Sequence, residues 1–189
     1  MMKFLKNKLK KIGWIRELYH RLYEFFFRML CVINPEWNAK LRYKTVFNKM
    51  PNLDDPQTWH EKINWLKLYR YNDDPLVVKC ADKYLVRDYV KECGCGDILN
   101  ELYGVYDSPE DINWDELPNR FVMKWNFGAG YNFICTDKSK ENKEDVIALF
   151  KKWGKDKYWL SHAEMHYSLI DKKIICERLL DENELEVEL

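Results

Sequence analysis

Lys124 lies in a strand-like apolar run, Phe121-Val122-Met123-Lys124-Trp125-Asn126-Phe127, that meets the glycine-spaced turn Gly128-Ala129-Gly130 and a second apolar run from Tyr131 to Ile134. A hairpin of this kind can hold phosphate. Gly128 and Gly130 allow backbone angles closed to other residues and let amide groups approach a ligand, while the Lys124 ammonium supplies a point charge. On its own the pattern equally suits an ordinary hairpin loop, with Lys124 a surface residue of an edge strand.

Further residues carry potential chemistry. Lys83, in the pair Asp82-Lys83, is a second cation, although the pair also suits plain helix-surface contacts. His162 and His166 stand at i, i+4 spacing with Glu164 between them, but a zinc site needs a third ligand, so structural or solvent-facing roles are the expectation. His60 is read in the same way. Trp153, Tyr158, Trp159 and Tyr167 crowd around Glu164 and read as core, or as a platform for a sugar or acceptor. No side chain stands out as catalytic, and no metal site is expected.

These residues need elements to position them. Residues 14–30 read as an amphipathic helix ended by Asn34-Pro35, because proline disfavours helical geometry in the residue before it. A second helix follows from Pro35 to about Lys49. Thr58 with Glu61 has capping-box spacing and predicts a third. From Pro75, apolar residues recur at three- and four-residue steps until Gly94, which predicts one helix carrying Asp82-Lys83. Strands are expected over 98–106, 120–124, 132–135 and 173–180, with a helix over 143–153. The fold class is therefore α+β, a helical region followed by an antiparallel sheet. The expected division is a basic helical extension over 1–50 and a second domain over 51–189.

Composition sets bounds. Of 189 residues, 47% are hydrophobic and 15% aromatic, enough apolar surface to form a globular core. The net charge is zero but uneven: residues 1–70 carry 15 Lys and Arg against 6 Asp and Glu, and the remainder carries 16 against 25. A basic head suits an anionic partner such as a membrane surface, or packing on the acidic body, and the acidic remainder argues against nucleic acid. Trp14, Leu18, Leu22, Phe25, Phe26 and Met29 in residues 1–34 could lie on an anionic membrane or pack inward. The six cysteines include no C-x-x-C pair and no secretory signal precedes them, which points to reduced thiols in the cytoplasm, with peripheral contact at the inner membrane surface as an option.

In chain order, Asp82-Lys83, Lys124, Gly128–Gly130 and Glu177-Arg178-Leu179-Leu180 resemble the ATP-grasp fold. The likeness is closest to its TupA-like branch, tied to bacterial surface polysaccharide and teichuronopeptide. Residues Thr58 to Tyr69, Ala81 to Val90 and Leu117 to Lys124 carry it, extended by Asp137-Lys138-Ser139-Lys140 and Ile174-Ile175-Cys176-Glu177. The resemblance implies ATP as cofactor, with Lys83, Lys124, Gly128 and Gly130 toward the phosphates and Glu177, Arg178 and Leu180 toward adenine and ribose. It also implies Mg²⁺, whose ligands would follow the Glu-x-x-Leu segment and are not evident in this chain. Glu182, Glu184, Glu186 and Glu188 read as a solvated tail, so the chain is expected to be the first part of a longer enzyme, inactive alone. In the turn the family usually has His-Gly-Ser-Gly, whereas here Phe127 and Ala129 replace the imidazole and the hydroxyl. The implied activity is a carboxylate–amine ligase with a carboxylate or sugar acceptor. A glycosyltransferase-like protein of the same pathways, for which no D-x-D motif is present, and a non-catalytic binding module are the alternatives.

Overall fold

A computed structural model describes residues 13–180. The first twelve residues of the basic head and the tail glutamates Glu182, Glu184, Glu186 and Glu188 lie outside the described residues. Among the described residues there are seven α-helices and four strands, in the α+β arrangement expected. They form two compact units, one of residues 13–72 with 159–165 and one of residues 73–158 with 166–180.

The first unit is helical. Helix α1 (Gly13–Ile33) turns into α2 (Pro35–Phe47) at Asn34, whose side chain accepts from the Trp37 amide while Pro35 occupies the first helical turn. Helix α3 (Trp59–Tyr69) begins at the capping box that the sequence predicts. The Thr58 hydroxyl accepts from the Glu61 amide, and the Glu61 carboxylate accepts from the Thr58 amide. Cys31, Ala39, Leu53, Leu68 and Ala163 make its core. On α1 only Phe27 and Cys31 are buried; Trp14, Leu18, Leu22, Phe25, Phe26 and Met29 are all exposed. Helix α1 thus packs on its unit through Phe27 and Cys31, with those six side chains exposed among the described residues.

The second unit carries the sheet. The predicted helix from Pro75 to Gly94 is two helices, α4 (Pro75–Ala81) and α5 (Val86–Glu92). The chain breaks at Asp82, whose ψ of 113° is extended and whose Oδ1 accepts from the Tyr84 and Leu85 amides. An aspartate that satisfies backbone donors in this way offers the chain an alternative to continuing the helix. Asp82-Lys83 thus sits in a corner rather than on a helix.

Strands β1 (Leu102–Tyr106), β2 (Phe121–Trp125), β3 (Asn132–Cys135) and β4 (Ile174–Glu177) form one antiparallel sheet in the order β1-β4-β2-β3. Helix α6 (Lys143–Gly154) follows β3, and the short α7 (Trp159–His162) belongs to the first unit. Side chains alternate between the two sheet faces. Phe121, Met123, Trp125, Ile174 and Cys176 join Phe127, Val146 and Phe150 in the core. Val122, Lys124, Ile175 and Glu177 share the other face, since Val122 pairs with Glu177 and Lys124 with Ile175.

Ala163 takes a φ of 54° and His166 lies in a 3-10 turn, so the i, i+4 helical geometry read for His162 and His166 does not form. Of the aromatic residues near Glu164, Trp153, Tyr158 and Tyr167 pack against the sheet core, while Trp159 and Glu164 belong to the helical unit. All six cysteines are free thiols, with Cys31, Cys135 and Cys176 buried.

Candidate functional site

The chemistry converges on the face of the sheet opposite the core. Lys124 lies on β2, which is hydrogen-bonded on both sides by β3 and β4, so it is a central-strand residue and not an edge lysine. Its ammonium meets the Glu177 carboxylate at 2.5 Å, and the other oxygen of Glu177 accepts from Arg87 at 2.9 Å. Arg87 also donates to the Asn100 carbonyl at 2.6 Å, and Asn100 donates to the Arg178 carbonyl at 2.8 Å. The end of β4 is thereby tied to α5 and to the entry of β1. Glu177 is buried, and two cations on one carboxylate leave that cluster with net positive charge.

Lys83 reaches the same hairpin from the corner between α4 and α5. Its amide donates to the Asn126 carbonyl at 3.0 Å, and its ammonium donates to the Gly128 carbonyl at 2.7 Å and more weakly to the Asn126 carbonyl at 3.4 Å. Burial, and next the positive charge of Lys124, push the Lys83 pKa down to about 8, with Asp82 opposing the shift. The two ammonium groups are therefore close enough to repel. An anion bound beside them would relieve that repulsion.

Asn126 holds the arrangement. Its Nδ2 donates to Asp82 at 2.9 Å and to the Asp171 carbonyl at 2.8 Å, while its Oδ1 accepts from the Lys173 amide at 2.8 Å. Its own amide donates to the Lys173 carbonyl at 2.9 Å. One fully buried side chain thus locks the corner at Lys83, the turn after β2 and the approach to β4. The sequence assigns no role of their own to Asn126, Arg87 or Asn100. The one signal for Asn126 is an amide residue placed between a buried strand and a glycine turn, a position that also suits an ordinary turn former.

The two turn glycines differ. Gly128 has a φ of 62°, is buried, and a Cβ on it would lie 2.7 Å from the Tyr158 ring. Gly130 has a φ of 85° and open space around it, and it is exposed together with Ala129. Gly128 is thus set by packing and by the carbonyl it offers Lys83, and Gly130 is the glycine that a ligand can approach. Phe127 points into the core, with its ring near Trp125 and Tyr131 and the Lys172 ammonium 4.4 Å from its centroid. Where the resemblance places an imidazole for phosphate, this chain has a core residue.

Arg178 continues from β4 with its amide donating to the Glu101 carbonyl at 3.0 Å, and Leu180 is exposed beyond it. Lys83, Lys124 and Glu177 are therefore linked through the hairpin and the sheet face, whereas Leu180 lies at the end of the described chain. Among the described residues no group of three His, Cys, Asp or Glu side chains could hold a metal ion. The donors that do converge are ammonium groups and exposed turn amides, which suit phosphate oxygens.

A family model described as TupA-like ATPgrasp matches residues 61–188. No curated protein and no solved structure matches the chain. The matched segment is more than half of the 189 residues and contains Lys83, Lys124, both turn glycines and Glu177. With a match of that extent over the segment that builds this site, the chain belongs to the TupA-like ATP-grasp family.

Proposed function

We propose that this chain binds ATP through Lys83, Lys124 and the Gly128–Gly130 turn, and serves a carboxylate–amine ligase reaction in bacterial cell-surface polysaccharide or teichuronopeptide assembly. The observation that carries the reading is the approach of two lysines to one hairpin, Lys83 through the Gly128 carbonyl and Lys124 from β2, with the Lys83 pKa lowered by burial first and by the charge of Lys124 next. In such a reaction a substrate carboxylate attacks the terminal phosphorus of ATP and ADP leaves. An amine then attacks the acyl phosphate, forming the amide as phosphate departs. The protein contributes mainly position and countercharge, because charge spreads over the transferring phosphoryl oxygens. Lys83 and Lys124 would supply that countercharge, and Glu177 with Arg87 would keep Lys124 oriented. Mg²⁺, when bound, would neutralise further phosphate charge. Titration calorimetry of the full chain with ATP and Mg²⁺, repeated with a uridine diphosphate sugar, tests the reading. Saturable ATP binding is expected; binding of the sugar nucleotide without ATP would favour the glycosyltransferase-like alternative.

A second reading concerns α1. Trp14, Leu22, Phe25 and Phe26 are 68%, 60%, 63% and 53% exposed, an unusual cost for a surface helix in water. No helix among the described residues is long and apolar enough to cross a membrane. We propose that α1, with the lysines that precede it in sequence, lies on an anionic membrane surface. Flotation with phosphatidylglycerol vesicles tests this, and equal recovery of Phe25→Ser/Phe26→Ser and the parent would contradict it.

A further inference from the structure

The helical unit contains a cleft of about 310 Å³ between α2, α3 and α7. Its wall combines Arg42, His60, Lys67 and His162 with the aromatic rings of Tyr43 and Phe47. No carboxylate lines it.

Arg42 is held in place before any ligand arrives. Its guanidinium carbon lies 4.4 Å from the Phe27 ring centroid, and one terminal nitrogen pairs with Glu24 at 2.8 Å. Its Nε is buried and has no hydrogen-bond partner among the described residues. An unmet donor on a buried cation is costly in the free protein, and an oxygen acceptor would satisfy it. Lys67 is anchored by donating to the His162 carbonyl at 2.8 Å, which leaves N–H groups of its ammonium for a second acceptor.

Arg42 and Lys67 bring two cations to the wall of the cleft, with Glu24 paired to Arg42 and Glu164 acting on Lys67. Burial lowers the pKa of Lys67, with Glu164 opposing and Arg42 adding to the shift. Burial also lowers that of His162, where Arg42, Lys67 and Arg28 oppose the protonated form and Glu24 favours it. Like charges gathered beside apolar rings fit an anion attached to a flat or apolar body.

We propose that this cleft is a binding site for an oxyanion, phosphate or carboxylate, carried on an aromatic or apolar body, with Arg42, Lys67 and His162 as its donors. The site lies wholly within the helical unit and uses none of the residues assigned to the nucleotide. It stands whether or not the chain binds ATP.

The test is a titration of the full chain with phenyl phosphate, benzoate and inorganic phosphate, followed by the Arg side-chain Nε–H signals in NMR. The Arg42 signal is identified by its loss in Arg42→Lys. Saturable shift of that signal is expected with phenyl phosphate or benzoate in the millimolar range or tighter, and weaker binding with inorganic phosphate. Phenyl phosphate binding tighter than benzoate would identify the anion as phosphate, and the reverse order as carboxylate. Lys67→Gln and His162→Asn should each weaken binding about tenfold or more, while Lys124→Met should not change it. An unmoved Arg42 signal overturns the proposal, as does binding lost in Lys124→Met but retained in Lys67→Gln and His162→Asn.

Discussion

The side chains of Asp82 and Asn126, 44 residues apart in sequence, meet in a hydrogen bond of 2.9 Å at positions 1% and 0% exposed. Asp82 spends its other oxygen on the Tyr84 and Leu85 amides, and Asn126 spends its remaining groups on Asp171 and Lys173. The corner that presents Lys83 and the turn that follows Lys124 are therefore one hydrogen-bonded structure.

Replacing Asn126 by Leu keeps the volume and leaves the buried Asp82 oxygen, the Asp171 carbonyl and the Lys173 amide without their partner. A loss of about 2–4 kcal/mol in the stability of the sheet unit is expected from urea denaturation. A loss below about 0.5 kcal/mol would mean that water replaces the amide freely.

Glu177 has two cations and each cation has one carboxylate, so the two ends of the network are unequal. Glu177→Gln leaves Lys124 and Arg87 facing each other and should cost about 3–5 kcal/mol. Lys124→Met leaves Glu177 paired with Arg87 at 2.9 Å and should cost clearly less. A double-mutant cycle should give a coupling of about 1–3 kcal/mol, and additive effects would contradict the pairing.

Gly128→Ala and Gly130→Ala should part company. Both positions have positive φ, which costs an alanine about 1–2 kcal/mol. At Gly128 the new methyl also meets the Tyr158 ring at 2.7 Å, so the loss there should be larger by about 1 kcal/mol or more. Thermal unfolding of the two variants side by side checks the difference.

Lys83 gives the site a pH dependence with a defined sign. Its folded pKa of about 8 is below the ordinary lysine value of about 10.4, so the folded state disfavours the charged form. The penalty is fully present below pH 8 and fades as pH rises from there toward the unfolded pKa. Relative to Lys83→Met, the parent should gain stability over that window, on the order of 1 kcal/mol after allowing for solvent screening. A bound phosphate would raise the Lys83 pKa again. ATP binding near pH 8 should then take up protons, which calorimetry in buffers of different ionisation enthalpy would detect.

What the sequence discloses and what it hides divide along the range of the interactions. The Thr58–Glu61 capping box, the helix end at Asn34-Pro35 and the strand over 120–124 are set by residues a few positions apart, and all three form as read. The break at Asp82 is hidden because the apolar residues of 76–90 keep a helical period straight through it. Asp82 departs from the helix for local amides, but it stays buried because Asn126 reaches it from a distant hairpin. Lys124 was legible as a cation on a strand. Its central place in the sheet was not, because β4 joins between β1 and β2 only after a long excursion through α6 and α7. Phe127 reads in the sequence as a lost phosphate donor, whereas its ring belongs to the core.

The central claim, that Lys83 and Lys124 hold the phosphates of ATP, is tested most directly by competitive lysine acetylation of the full chain at pH 8, read peptide by peptide by mass spectrometry with and without ATP and Mg²⁺. Saturable protection of Lys83 and Lys124, with surface lysines such as Lys140 unchanged, is the predicted result. Equal labelling of Lys83 and Lys124 at every ATP concentration would contradict the account.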